Sequence, residues 1–235
     1  QDLLKRLSEI TAEERRILDG GDLDLAAYSD KIGEVNAERL TETGKLISIR
    51  PNTRFIAFPP HSHNYVEMVY MCSGRQRHII NGSTELVLKA GELLLLNQHA
   101  VHETGRTGEN DIAVNFIVMP QFFNTALELI GSDNQLSRFI VSGLAGGGRE
   151  LNYMHFNVSD ELPVQNLLEN LIYNLLNKIP NRRNINQVTM GLLFLNLLNC
   201  TDRLITDAPG SVSEGIVMAA LKEIEENYAE ASLSA

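Results

Sequence analysis

The sequence predicts an α+β protein, a small β-barrel or sandwich with helices before and after it. Three observations carry this. Apolar residues recur every three to four positions in residues 1–40 and again beyond Pro120, the period of a helix with one buried face. Between Gly44 and Val118 that period gives way to short β-prone runs separated by turn residues. The chain has 235 residues, 43% of them hydrophobic, enough to bury a sizeable core and too many for a disordered polymer.

Within residues 1–40, Leu3, Leu4, Leu7 and Ile10, then Ile17 and Leu18, mark a helix face, and Thr11 with Glu13 and Glu14 supplies an N-terminal turn. Gly20-Gly21-Asp22 breaks the pattern, and a second short helix is expected over about 25–40. Strand-length runs follow at 45–50, 54–58, 65–72, 77–80, 85–88, 92–96 and 112–118. Pro51-Asn52, Pro59-Pro60, Ser73-Gly74, Asn81-Gly82, Ala90-Gly91 and residues 105–108 separate them, and Asn81-Gly82 is the strongest hairpin signal. Beyond Pro120, Val164, Leu168, Leu171, Ile172, Leu175 and Ile179 form a wide apolar stripe closed by Pro180. Residues 188–205 then make a second helix, apolar on most sides, and the two predict an antiparallel hairpin. Its apolar surface exceeds what one small barrel covers, which points to a subunit interface; packing back on its own barrel is the plainer alternative. The expected organisation is therefore a helical extension (1–43), a barrel (44–120), a helical linker and hairpin (121–205), a linker (206–212) and a further helical start (213–235).

The net charge is −10, and no segment clusters Lys and Arg on the face that phosphate binding requires, so these residues alone are not expected to bind DNA. No apolar run approaches the ~20 residues of a membrane helix, and no basic stretch leads an apolar one as in a secretory signal. Cys72 and Cys200 lie far apart, as in a reducing compartment; a cytoplasmic protein is expected.

The segment Pro60-His61-Ser62-His63-Asn64-Tyr65-Val66-Glu67 is the most informative in the chain. On an extended strand, His61, His63 and Glu67 share one face, and His102 follows the run at 92–96. Three imidazoles and a carboxylate suit a borderline divalent metal such as Fe, Mn, Ni or Zn. From Glu67 the inward face continues to Val69 and Met71, and Phe58, Tyr65, Asn115 and Ile117 are further candidates to line a small-molecule pocket. The alternative is a polar barrel mouth whose histidines bond one another or an organic ligand. His78 and His99 could add to the site, though each is read as a surface or outer residue, and His155 carries no independent signal. The glycines of residues 143–148 have the wrong spacing for a phosphate-binding loop and read as a flexible connection. Cys72 has no neighbouring base and sits on the parity opposite Glu67.

The spacing His61-x-His63-x3-Glu67-x6-Gly74 resembles the first motif of the cupin family, with Phe55 where the family has a leading glycine. Of the second motif, Gly91 and His102 match, while Asn97, His99 and Arg106 replace its proline, second glycine and asparagine. With the hairpin, the linker and Leu221-Lys222-Glu223-Ile224-Glu225-Glu226-Asn227-Tyr228, residues 44–235 resemble the sensor part of AraC/XylS-type transcription regulators. The resemblance implies a cupin-like double-stranded β-helix (a jelly-roll barrel) that binds a small organic effector. It implies a homodimer formed through the helices of residues 163–205 and no catalysis. DNA would be read by a helix-turn-helix domain beginning at about 213, with both recognition helices beyond Ala235. The competing expectation is a metal-dependent cupin oxygenase or isomerase using His61, His63, Glu67 and His102.

Overall fold

The computed structural model describes residues 2–145, 151–177 and 179–206. Helices α1 (Asp2–Ser8), α2 (Ala12–Leu18) and α3 (Ala37–Leu40) precede the barrel. Thr11 caps α2 through a reciprocal box with Glu14, as the sequence predicts. The second expected helix does not form over 25–40. Leu25–Ala27 makes one 3₁₀ turn, Glu34–Val35 becomes strand β1, and only α3 is helical, started by the Asn36 side chain. Helical spacing there is overridden because β1 pairs with the barrel, Glu34 against Ser62 and Val35 against His63.

The remaining strands are β2 (Ile47–Pro51), β3 (Phe58–His63), β4 (Val66–Ser73), β5 (Arg75–Ile80), β6 (Thr84–Lys89), β7 (Leu93–Leu96), β8 (His102–Thr104), β9 (Ile112–Val118), β10 (Tyr153–Phe156) and β11 (Leu204–Thr206). They form two sheets, β1-β3-β8-β5-β6 and β11-β10-β7-β4-β9-β2, the jelly-roll expected. Of the run expected at 54–58 only Phe58 is strand, the rest being loop, and Pro59-Pro60, expected as a separator, lies inside β3. Residues 153–156 and 204–205, expected to be helical, and Thr206, expected to open the linker, extend the six-stranded sheet, so the barrel takes in chain from well beyond Pro120.

Strand alternation divides the interior into three cores. Val66, Met68 and Tyr70 of β4, Leu93 and Leu95 of β7, and Val114, Phe116 and Val118 of β9 face outward from the barrel. They pack under α4 (Asn124–Ile130), α5 (Gln135–Ala145), α6 (Leu162–Asn177) and α7 (Arg182–Leu198). The opposite parity, Val69, Met71, Leu94, Leu96 and Ala113, fills the inside of the barrel with Ile80, Leu88 and Tyr153. A third cluster at the mouth joins Tyr28, Val35 and Ala37 of the N-terminal segment to Phe58, Tyr65 and Ile117. The helices of the expected hairpin pack on each other, α7 also on α4 and α6 also on β2, and Leu168, Leu171, Ile172, Leu193, Phe194 and Leu197 join the core over the outer face of the barrel. Gly143 belongs to α5 rather than to a loop; residues 146–148, the linker beyond Thr206 and residues 213–235 lie outside the described residues.

Two motif glycines are required by the backbone. Gly74 (φ 72) and Gly91 (φ 84) are left-handed, and a Cβ on either would collide, with the side chain of Asp111 or with Ser159 Cα at 2.7 Å. Phe55 adopts the same left-handed region, φ 71, at the place where the cupin pattern has glycine. The conformation persists in a residue that disfavours it because Phe55 N–H donates to Thr107 O and the Arg54 guanidinium lies over the ring.

Candidate functional site

His61, His63, Glu67 and His102 converge in the mouth of the barrel, all buried. Their convergence differs from the expectation of a single strand. His61 and His63 lie at the end of β3 in one sheet, the chain crosses at Asn64 and Tyr65, and Glu67 is the second residue of β4 in the facing sheet. His102 starts β8 directly opposite His61. A register shift between Phe58 and His61, at the two prolines, turns Phe58 inward with the histidines despite its even number.

His63 Nε2 and His102 Nε2 are 3.4 Å apart, and Glu67 Oε2 lies 3.5 Å from the first and 3.3 Å from the second. One ring nitrogen from each of His61, His63 and His102 lies within 4.8 Å of the others. His61 Nδ1 is 2.8 Å from Pro59 O, which orients that ring and leaves Nε2 free. Burial, then the neighbouring His102 and His63, lower the His61 pKa to about 2, and burial lowers His63 well below its ordinary value. Both are therefore neutral at pH 7, with lone pairs available. For Glu67 burial alone would raise the pKa, but the surrounding imidazoles, His102 first, hold it below the usual carboxylate range. Its other oxygen accepts from Asn115 Nδ2 at 3.0 Å, while Oε2 has no aligned donor.

This set fits a divalent metal. Donors about 2.0–2.2 Å from one ion stand a little over 3 Å apart, as the nitrogens of His63 and His102 and Glu67 Oε2 do here. A buried carboxylate oxygen without an aligned donor is the group such a cation would satisfy.

Of the pocket candidates, Phe58, Tyr65, Asn115 and Ile117 line the mouth with the metal-type residues. Val69 and Met71 do not; they are packed deeper, inside the barrel. His99 is exposed in its turn, as expected. His78 is not at the surface: it is 1% exposed, stacks on the His102 ring at 5.8 Å, and has no protein partner on either nitrogen. Burial, then His102, lowers its pKa to about 3. His155 is also buried, its Nε2 2.9 Å from Glu92 Oε2.

Sequence reasoning missed Tyr28, Val35, Arg50, Asn52 and Thr53, all of which line the mouth. For Arg50 the alternation Ile47-Ser48-Ile49-Arg50 was a usable signal, because Ile47 and Ile49 pack toward the helices and the next parity faces the barrel. No periodicity marks Tyr28, whose place depends on how the N-terminal segment folds back.

A two-sheet jelly roll with a polar, largely buried mouth defines a cupin-like ligand-binding barrel. The model of the AraC-like ligand binding domain matches residues 46–193, well over half of the chain, and the chain belongs to that family. Among solved structures, an apo variant of ToxT from Vibrio cholerae superposes with a TM-score of 0.51 at 11% identity, covering 68% of this chain and 58% of that one. ToxT from the same organism with a bound unsaturated fatty acid gives 0.44 at 10% identity, covering 66% and 53%. KdgF from Halomonas sp. gives 0.27 at 13% identity, covering 33% and 84%. Identities this low concern the fold alone. The chain spans less than two thirds of ToxT's length, and no curated protein sequence matches it.

Proposed function

We propose that this chain is the effector-sensing and dimerisation part of an AraC-type transcription regulator. A small organic ligand binds at the barrel mouth, and its binding controls a helix-turn-helix domain that starts near residue 213 and reads DNA. The observation that carries the reading is the mouth itself, where polar side chains from both sheets and from the N-terminal segment meet apolar Phe58, Val35 and Ile117. Such a ligand acts only by binding one arrangement of the N-terminal segment and the hairpin better than another. Pairing through the hairpin is supported by α7, where Ile185, Val188, Leu192 and Leu195 are exposed at the three- and four-residue spacing of a helix–helix seam. No helix among the described residues is long and apolar enough to cross a membrane.

His61, His63, Glu67 and His102 would hold an Fe, Mn, Ni or Zn ion, supported by the donor spacing and the neutral imidazoles. Bound there, it would supply a Lewis-acidic anchor for an oxygen of the effector. Elemental analysis of protein purified without chelator or metal-affinity tag, beside a thermal-shift screen of small organic molecules, tests both parts. About one equivalent of metal, lost in His61→Ala and Glu67→Ala, supports the site. A metal-free chain that a small molecule stabilises leaves the sensor without the ion. Turnover of a bound molecule by the metal-loaded chain would favour the oxygenase or isomerase reading instead.

A further inference from the structure

The mouth is filled by the chain itself. Its open space is only about 30 Å³, room for roughly one water, whereas pockets for organic ligands run to roughly 300–1,000 Å³. Much of the filling comes from the N-terminal segment. Tyr28 packs edge-on against Phe58 with centroids 5.0 Å apart, and Val35 is pinned beside His63 by the β1–β3 pairing. An organic effector therefore needs lining side chains to move, and Tyr28 and Val35 of the N-terminal segment are among them.

Beneath it lies a receptor for a carboxylate. Arg50, Tyr28 and Thr53 all line the mouth, and all three converge on the Glu13 carboxylate of α2. Arg50 Nη2 donates to Glu13 Oε2 at 3.0 Å, the Tyr28 hydroxyl donates to Glu13 at 2.8 Å, and the Thr53 hydroxyl donates at 3.1 Å. The same guanidinium nitrogen reaches Tyr28 Oη at 2.9 Å, and the guanidinium lies over the Tyr28 ring at 4.6 Å. One guanidinium and two hydroxyls around a carboxylate are the donor set of a selective acid site. The occupant here is a side chain of this chain. The carboxylate inside the mouth, Glu67, is turned to His63, His102 and Asn115.

Resting on the sensor reading above, we infer that the effector is a small organic carboxylate whose acid group replaces Glu13 on Arg50, Tyr28 and Thr53. Glu13 is thus an internal competitor, and its displacement, which frees α2 from Arg50, Tyr28 and Thr53, is the binding signal. Apparent affinity is the intrinsic affinity scaled by the fraction of molecules in which Glu13 has left the site.

The test is calorimetric titration of the chain with benzoate and hexanoate against their neutral amides, benzamide and hexanamide. The wild type is compared with Glu13→Gln, which keeps the side chain's shape, with Glu13→Ala, and with Arg50→Met. The acids are expected to bind and the amides not. Both Glu13 variants should bind the acids about tenfold more tightly, and Arg50→Met should lose them. Amide hydrogens of α2 should exchange faster when acid is bound. Acid affinity equal in the wild type and both Glu13 variants, or no acid binding in any of them, overturns the inference. An amide that binds as well as its acid and loses affinity in His61→Ala overturns it too, yet leaves the sensor reading standing. If no molecule of any class in the wider thermal-shift screen stabilises the chain, the sensor reading fails as well.

Discussion

Arg54 and Glu14 form the most deeply buried ion pair among the described residues, 3% and 0% exposed. Arg54 Nε and Nη2 donate to the two Glu14 oxygens at 2.7 and 3.0 Å, and the guanidinium also reaches Ser8 O, Glu9 O and Glu109 O. Removing one partner strands a buried charge, so Arg54→Met should lower the unfolding free energy by about 3–5 kcal/mol in a urea titration. For Glu14, burial raises the pKa, but the Arg54 bond and the backbone donors of Thr11 and Arg54 outweigh it, and the carboxyl sits below 4.5. A folded pKa below the unfolded one means that this stabilisation is complete above about pH 4.5 and is lost as pH falls through the lower folded value. Glu14→Gln should therefore destabilise the chain at pH 7 and show a shallower fall of melting temperature below pH 4.5 than the wild type. The metal-type residues were legible as single residues because the His-x-His-x3-Glu spacing is local. His78 was legible only as a surface or outer residue, and the β5–β8 pairing, with Ile80 opposite His102, decides between the two by bringing it within stacking distance of His102. Phe55 is the reverse case, a departure from the motif's residue in which the motif's backbone survives.

At the scale of elements, α7 has two apolar faces with different destinations. Leu193, Phe194 and Leu197 are buried against the helices and sheet, while Val188 and Leu192 are 51% and 45% exposed. Leu193→Ala should cost about 2–5 kcal/mol without altering the molar mass in solution. Leu192→Glu should leave the unfolding midpoint of the isolated fold nearly unchanged and turn a dimer into a monomer by light scattering; a dimer that survives places the interface elsewhere. Wide apolar stripes made both hairpin helices readable, although α7 starts six residues earlier than the pattern indicated and stops before 204–206 turns to strand. Strands of three or four residues, β8 and β10, carry too little pattern to be separated from loop or helix, and they form because neighbouring strands offer ladders. Likewise β3 was displaced in the reading because two prolines suggest a turn. Their lost N–H groups are tolerated near the sheet's edge, where β3 pairs with β8 on one side and only the two-residue β1 on the other.

For the whole molecule, the fold class was legible because the change from helical to strand-like spacing and back spans most of the chain. The cover over the mouth was not, since it depends on contacts between residues 13–35 and strands far along the sequence. The three cores differ in how they are held. The outer and inner barrel cores rest on long ladders such as β4–β9, whereas the mouth cluster hangs on two β1 residues, α3 and a few side-chain bonds. Hydrogen exchange should accordingly release the amides of β1 and α3 at a lower opening free energy than those of β4 and β9. Uniform protection would show that the N-terminal segment opens only with the barrel. The brief parallel pairing of Glu34–Val35 with Ser62–His63 has one more consequence. It is the outermost strand on that side of the five-stranded sheet, and it shields the backbone of β3 from solvent and from other molecules. A chain begun after Asn36 would carry a naked sheet edge blunted only by Pro59 and Pro60, and should self-associate through strand addition during expression.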